Sequence, residues 1–172
     1  MNKPSIDRLH EVFEYSNGAL IWKVKPSPMA HRSKVGTEAG RTQAHKYDDI
    51  QLDGCRLKAH HIVWAMHKGE YPSMQVDHIN RNKMDNRIEN LRLATPTDNA
   101  ANCSSVKNTT SRYLGVSWKA ANKAWVAQIS KGYKRKHLGL FSTEDEAALA
   151  YNNAAIELHG EFANLNNVGS AA

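Results

Sequence analysis

Residues 76–99 read VDHINRNKMDNRIENLRLATPTDN, and this stretch decides most of what the sequence says about the fold. Short apolar runs at Met74–Ile79 and Leu91–Ala94 predict two strands, and the polar stretch between them predicts a loop. Thr95 followed by Pro96 is typical of a helix start, with threonine as the N-cap and proline at the first helical position. The predicted order is therefore strand, loop, strand and helix.

The side chains on these elements suit phosphodiester hydrolysis. Asp77 and His78 are adjacent on the first strand, so alternation sends them to opposite sides. One can reach a metal ion while the other faces an attacking water, and histidine is the natural base near neutral pH. Asn90 and Asn99 add carboxamides before the second strand and on the helix. Such oxygen ligands suit Mg²⁺ or Mn²⁺, which can neutralise the charge that develops during hydrolysis.

The motif DHINxNxxDNRxxNLRxAT, carried by Asp77–Thr95, resembles the HNH endonucleases, most closely the phage and intron-encoded homing type. The resemblance implies a ββα-metal (His-Me finger) domain that binds one divalent ion. By position it implies that His78 is the general base and that Asn90 fixes the loop and orients His78. It also implies that Asp77 and Asn99 hold the metal. Asn99 stands where the family usually has histidine, a departure shared by the homing subgroup that argues for a harder metal than zinc.

Three basic residues near this motif are candidates for contacting the scissile phosphate: His60, His61 and Arg81. Surface exposure or packing is the alternative for each of them. Weaker resemblance to phage HNH proteins extends upstream, through LHEVFEYSNGALIW and the VGTEAG turn.

The N-terminal part of the chain also predicts regular elements. Ser5 can cap a short helix whose apolar face ends at Phe13, and Ala19–Val24 has the character of a strand. Asp53-Gly54 is a strong turn signal and predicts a hairpin between Tyr47–Leu52 and Arg56–Ala59. A second helix is predicted over His60–Lys68, with Gly69 ending it.

Charge is distributed unevenly in the C-terminal third. Residues 100–143 contain eight basic residues and no acidic ones, whereas the residues after Thr143 contain five acidic residues and no lysine or arginine. Three short strands are predicted in the basic part, at Tyr113–Lys119, Ala124–Lys131 and Lys136–Phe141. Thr143 and Glu146 form a capping-box pattern that starts a long helix over Glu144–His159. One face turned toward a polyanion explains this segregation, and a solvated charged surface is the alternative.

Residues 112–166 resemble the plant ethylene-response-factor (APETALA-type) DNA-binding domain, which also occurs fused to phage HNH nucleases. The resemblance is carried by the YxGV, WxAxI and LGLF stretches and by the alanine-rich helix. It implies a three-stranded antiparallel sheet that enters the DNA major groove while one helix braces the far side. Leu114 and Ser117 stand where plant members carry arginines, so the sequence preference is expected to differ or to be looser.

The residues expected to contact DNA in this module are basic or aromatic. They are Arg112, Trp118, Lys119, Lys123, Trp125, Lys134, Arg135 and Lys136. Lysine and arginine supply phosphate affinity, and longer side chains can reach base edges. Packing in the core of the small sheet is the alternative for Trp125.

The expected organisation is α+β, with a ββα-metal nuclease domain joined by a linker to a three-stranded antiparallel sheet packed on one helix. Residues 1–70 are the N-terminal part of the nuclease region, 71–103 the HNH core, 104–111 a linker and 112–168 the DNA-binding domain. Cys55 and Cys103 lack CxxC partners, which argues against a zinc ribbon. No signal peptide or membrane span is expected, so the predicted compartment is the host cytosol, with a phage as the expected source.

Two functional classes remain open besides a metal-dependent homing endonuclease on double-stranded DNA. One is a DNA-binding regulator that keeps the HNH segment only as a scaffold, although intact Asp77, His78, Asn90 and Asn99 argue against it. The other is a small structural protein, which leaves the basic block unexplained. One active site per chain predicts that a monomer nicks DNA, whereas a concerted double-strand break would need a dimer.

Overall fold

The computed structural model describes the chain in four stretches, which are residues 3–25, 34–40, 49–102 and 110–169. The chain divides into two compact units, Met1–Ala94 and Thr95–Ala172. This division falls inside the predicted 71–103 core, so the helix of the HNH motif is grouped with the second unit. Most of the predicted linker 104–111 lies outside the described residues, as does Cys103.

The described residues form short helices and small antiparallel sheets, which confirms the mixed α+β class. The elements in chain order are α1 (Ile6–Val12), β1 (Phe13–Ser16), β2 (Ala19–Trp22), β3 (Asp49–Leu52), β4 (Cys55–Lys58), α2 (Ala59–Lys68), β5 (Gln75–His78), β6 (Leu91–Ala94), α3 (Pro96–Ala101), β7 (Val116–Lys119), β8 (Ala124–Lys131), β9 (Lys134–Phe141) and α4 (Glu144–His159). Within the described stretches, no helix combines the length and the apolar character needed to cross a membrane.

Two hairpins of the first unit turn on Asn-Gly and Asp-Gly pairs. Asp53 and Gly54 both have positive φ, as the predicted β3–β4 hairpin requires, although Tyr47 lies outside the described residues. Asn17 and Gly18 join β1 to β2 in the same way. The strand β1 was not predicted, because Phe13 continues the apolar pattern of α1 while its backbone is already extended.

The apolar core of the first unit lies between α1, α2 and the two hairpins. Leu9 and Val12 of α1 and Ile62 and Val63 of α2 are completely buried in one cluster. Ser5 caps α1 by accepting a hydrogen bond from the Arg8 backbone, as predicted. This core fixes α2, and α2 in turn carries two histidines of the candidate site.

The HNH segment forms the predicted strand, loop, strand and helix. Strands β5 and β6 pair antiparallel, with Asp77 opposite Arg92 and His78 opposite Leu91. Thr95 caps α3 in a reciprocal capping box with Asp98, which confirms the predicted helix start.

The second unit contains a three-stranded antiparallel sheet in the order β7-β8-β9. Ala147 and Ala148 of α4 are fully buried and share an apolar cluster with Val116 of β7 and Ala127 of β8. Small side chains let the helix lie close to the sheet. The predicted capping box at the start of α4 is confirmed, with Thr143 as its N-cap.

Gly115, before β7, provides a test of this close packing. It has a φ of +69°, and an added Cβ would overlap the Tyr151 ring and the Gln128 carbonyl. Gly132, in the β8–β9 turn, has a φ of +58° but no atom within 4 Å of an added Cβ. We expect Gly132→Ala to cost about 1–2 kcal/mol from backbone strain alone. Gly115→Ala should cost roughly 1–3 kcal/mol more, because overpacking adds to the strain.

Urea denaturation of the two variants beside the unsubstituted protein measures both losses. Equal losses for Gly115→Ala and Gly132→Ala would contradict the close approach of α4 to the sheet.

Candidate active site

Asp77 lies on β5 in the interior of the first unit, with 6% of its surface exposed. Both Nε and Nη2 of Arg92, directly opposite on β6, lie 3.0 Å from Asp77 Oδ2. The pair is largely shielded from water, so each charge depends on the other for compensation. The antiparallel register of β5 and β6 therefore holds the carboxylate in place.

His78, the next residue, is 2% exposed. Its Nε2 lies 3.0 Å from Oδ1 of Asn86, and its ring makes an edge contact with the His60 ring at 5.1 Å between centroids. Burial lowers the pKa of His78, although the Asn86 hydrogen bond and the nearby Asp77 charge oppose this shift. The imidazole is therefore neutral near pH 7, the state in which a general base can accept a proton.

Asn90 closes the loop between β5 and β6. Its Oδ1 accepts from the Asn80 backbone at 3.0 Å, and its Nδ2 donates to Asn80 Oδ1 at 3.0 Å and to the Asp85 carbonyl at 2.7 Å. The Ile79 backbone N–H donates to the Asn90 carbonyl at 2.9 Å. These contacts are those of a residue that fixes the loop, and the role assigned to Asn90 stays a prediction.

An ion pair inside the same loop adds rigidity. Arg87 donates from Nε to Asp85 Oδ1 at 2.8 Å and from Nη2 to Asp85 Oδ2 at 2.7 Å. Asn80 Nδ2 also donates to the Asp85 carboxylate, at 2.7 Å. The Arg87 hydrogen bonds hold the pKa of Asp85 well below its usual range.

Asn86 is the site residue that the sequence reasoning missed. It is buried, and its side chain, not that of Asn90, makes the described hydrogen bond to His78. The available signal was its place in Asp85-Asn86-Arg87, where an asparagine directly follows an acidic residue of the motif. Burial separates it from Asn80 and Asn82, which lie on the exposed side of the loop.

The three candidate phosphate contacts have different surroundings. His60 is 3% exposed, and its ring lies between those of His61 and His78, at 4.6 and 5.1 Å. His61 is half-buried, and burial lowers its pKa. Arg81 is exposed in the loop, and its backbone N–H donates to the His78 carbonyl at 2.9 Å. DNA contact by these residues stays a prediction, with His60 placed in the interior.

The donor chemistry fits a hard divalent cation. In the described stretches, no group of three or more histidine, cysteine, aspartate or glutamate residues is arranged to hold a metal. Magnesium commonly binds one or two carboxylates and keeps several waters, so Asp77 with a carboxamide is a sufficient protein contribution. The Arg92 contact is compatible with this role, because a carboxylate has about four acceptor positions. Asn99 lies on α3 in the second unit, and its metal role stays a prediction.

The predicted DNA contacts of the second unit divide between the two faces of its sheet. The strand register places Lys119 and Arg135 on the face opposite to buried Ala127. The register places Lys134 and Lys136 on the α4 side of the sheet. Lys136 pairs with Ile129, which lies on the same side of β8 as Ala127, and Lys134 is two residues from Lys136. All four of these basic residues are exposed.

The two tryptophans lie opposite each other, with ring centroids 5.3 Å apart. They share the α4 side of the sheet with Ala127, where Trp125 packs against the apolar cluster and Trp118 is 41% exposed. This position supports the packing interpretation of Trp125, and its contact with DNA stays a prediction.

The remaining two basic candidates lie outside the strands. Arg112 Nε lies 3.9 Å from Glu144 Oε2, and Arg112 Nη2 lies 3.6 Å from Asp145 Oδ1. The acidic start of α4 therefore partly neutralises the Arg112 charge. Lys123 is exposed in the β7–β8 connection with a φ of +48°.

Burial of His60 makes the stability of the first unit depend on pH. Burial is the main cause that lowers its pKa from 6.5 to about 2, and the charges of His61, His78 and Lys58 act in the same direction. Between these two values the unfolded chain binds a proton that the folded protein does not. The stabilisation is therefore complete above about pH 6.5 and is lost as the pH falls, by about 1.4 kcal/mol per pH unit for one group.

Urea denaturation at about pH 7.5 and about pH 5.5 measures this dependence. We expect His60→Gln to reduce the loss of unfolding free energy between the two conditions, and His10→Gln, at an exposed position of α1, to leave it unchanged. Because burial also lowers the pKa of His61 and His78, part of the loss should remain in His60→Gln. An unchanged loss in His60→Gln would contradict the assignment.

The chain is similar to several known proteins. A family model described as HNH endonuclease matches residues 57–101. A protein of Acanthamoeba polyphaga mimivirus, named as an uncharacterized HNH endonuclease, is 36% identical over 121 residues, 69% of this chain and 62% of that relative. Protein 3.8 of Escherichia phage T7 is 31% identical over 107 residues, 62% of this chain and 88% of the phage protein.

A shorter match involves an AP2-like ethylene-responsive transcription factor of Arabidopsis thaliana, which is 44% identical over 52 residues, 29% of this chain and 15% of the plant protein. No solved structure matches the chain. The chain covers less than two thirds of the mimivirus relative but most of the phage protein. Together, these matches show that residues 57–101 carry an HNH endonuclease domain and that the chain is related to two viral proteins, which supports the expected nuclease class.

Proposed function

We propose that the protein is a divalent-metal-dependent endonuclease of the homing type that nicks double-stranded DNA. The observation that carries this proposal is the buried pair of Asp77 and His78 on β5, in which the imidazole is held by a hydrogen bond and kept neutral by burial. A neutral, fixed imidazole next to a carboxylate suits water activation beside a metal ligand.

In this mechanism, His78 removes a proton from the water that attacks the scissile phosphorus. Asn90 keeps the loop closed, so the ring stays in place during the reaction. Asp77 and Asn99 would hold Mg²⁺ or Mn²⁺. When bound, the cation supplies positive charge opposite the phosphate oxygens and the leaving 3′ oxygen. Arg81, exposed at the start of the loop, is the proposed contact for the neighbouring phosphate.

The second unit is proposed to anchor the DNA through its sheet in the major groove. The match to a plant protein named as an AP2-like ethylene-responsive transcription factor supports this role, as does the exposed basic surface of β9. Anchoring would make encounter of the nuclease site with DNA effectively intramolecular, so each contact can be weak. A monomer would nick, and a dimer would be needed for a concerted double-strand break.

The viral relatives support a phage or viral origin, and the proposed place of action is the cytosol of the host cell. The homing role and the choice between Mg²⁺ and Mn²⁺ are parts of the same proposal.

Cleavage of supercoiled plasmid tests the nuclease proposal. With Mg²⁺ or Mn²⁺ we expect open circles, no product in EDTA, and a rate roughly 10²- to 10⁴-fold lower in His78→Ala, the usual contribution of a general base. His10→Ala, a histidine exposed on α1, should cleave normally. DNA binding without cleavage under any metal would contradict the proposal and favour a non-catalytic regulator.

Salt dependence of DNA binding tests the proposed sheet interface. We expect Arg135→Gln to reduce the slope of log affinity against log salt by about one, because one phosphate contact is lost. Lys131→Gln removes the same charge from the same hairpin, but the Lys131 ammonium donates to the Leu158 carbonyl at 2.8 Å. Its slope should therefore change less. Equal changes in the two variants would argue against a specific contact by the sheet face opposite to α4.

A further inference from the structure

The contact between Asn86 and His78 determines which ring nitrogen of His78 carries the proton, as well as the position of the ring. An amide oxygen can only accept a hydrogen bond, so the imidazole nitrogen 3.0 Å from Asn86 Oδ1 has to be the donor. A neutral imidazole carries one N–H, and with Nε2 as the donor the lone pair lies on Nδ1. The buried amide thus favours one of the two tautomers of His78.

The segment that presents Asn86 is held from several sides. Asn90 binds the loop at Asn80 and at the Asp85 carbonyl, immediately before Asn86. On the other side of Asn86, the Ile88 backbone N–H donates to the Tyr15 hydroxyl at 3.2 Å. These bonds restrict the backbone on both sides of the amide.

The β1–β2 turn packs directly on this segment. An added Cβ at Gly18 would lie 2.9 Å from the Arg87 nitrogen and 3.3 Å from the Asn86 carbonyl carbon. The β1–β2 hairpin therefore packs against the backbone of the loop. Glycine is required at position 18 both by its φ of +92° and by the close approach of the Arg87 backbone. The His60 ring also contacts the His78 ring, which limits rotation of the imidazole.

We propose that Asn86 is a positioning residue that selects the Nε2–H tautomer of His78 and thereby makes Nδ1 the atom that takes the proton from water. In the reaction, the water O–H bond breaks and an Nδ1–H bond forms, leaving an imidazolium. The hydroxide oxygen bonds to phosphorus, and the bond from phosphorus to the 3′ oxygen breaks with its electron pair on that oxygen. The catalytic consequence rests on the proposed function, whereas the tautomer is a property of the protein without metal or DNA.

Long-range proton–nitrogen correlation spectra of the ¹⁵N-labelled protein, without metal or DNA, measure the tautomer directly. The His78 signals are identified by their loss in His78→Gln. We expect the unsubstituted protein to show Nε2 protonated and Nδ1 unprotonated. Asn86→Leu, which removes the acceptor, should lose this preference, while Asn86→Asp, which keeps an oxygen acceptor, should retain it. An Nδ1–H tautomer in the unsubstituted protein, or an unchanged preference in Asn86→Leu, would overturn the proposal.

Plasmid nicking separates positioning from general support of the fold. We expect Asn86→Leu to lower kcat roughly tenfold or more with little change in KM, since a wrong tautomer disables a base without removing substrate contacts. Asn86→Asp should recover part of the loss. Asn153→Leu, the same replacement at an exposed position of α4, should leave kcat unchanged. Equal losses in Asn86→Leu and Asn86→Asp would indicate a structural role and overturn the proposal.

The two proposals can fail separately. If the unsubstituted protein cleaves no DNA, the nuclease function fails and the spectra still decide the tautomer. If Asn86→Leu does not fold, the tautomer of the unsubstituted protein and that of Asn86→Asp still decide the proposal.

Discussion

The hydrogen bonds that Asn90 makes to the loop between β5 and β6 are the constraint on which the candidate site depends. His78, Asn86 and Asn90 are all buried, and a buried polar group without a partner costs about 1–3 kcal/mol. Asn90 meets this requirement through its hydrogen bonds to Asn80 and to the Asp85 carbonyl, and these bonds set the path of the chain that brings Asn86 to His78. Without this closure, the loop would present its amides to water, and the imidazole would lose its described hydrogen-bond partner on that loop.

Apolar packing supplies the rigidity that these polar contacts need. The completely buried side chains of α1 and α2 fix the helix that carries His60, and the β1–β2 hairpin supports the loop through Gly18 and Tyr15. The elements that precede β5 therefore support the candidate site through packing. The Asp77–Arg92 ion pair depends on the pairing of β5 with β6, because two charges removed from water are tolerated only when the strand register keeps them together.

Local signals predicted most elements because their causes are local. The caps at Ser5, Thr95 and Thr143 and the Asp53-Gly54 turn depend on residues a few positions apart. Strand β1 was missed because the helical period of α1 runs into Phe13, although Asn17-Gly18 is a hairpin turn signal of the same kind. The hydrogen bond from His78 to Asn86 could not be predicted from spacing, since it depends on how the loop folds back. The burial of His60 likewise comes from tertiary packing.

The charges of the second unit suggest how strongly its sheet could hold DNA. Arg112 is partly neutralised by the acidic start of α4, and Lys131 donates to the end of the same helix. Both charges are therefore less available to a phosphate than those of Lys119 and Arg135. Only Lys119 and Arg135, among the predicted contacts on the described strands, lie on the face opposite to α4. Each phosphate contact contributes modestly and is screened by salt, so such a surface favours weak and sequence-tolerant binding. Under the proposed function a weak anchor would still suffice, because tethering raises the local concentration of DNA at the nuclease site without a tight complex.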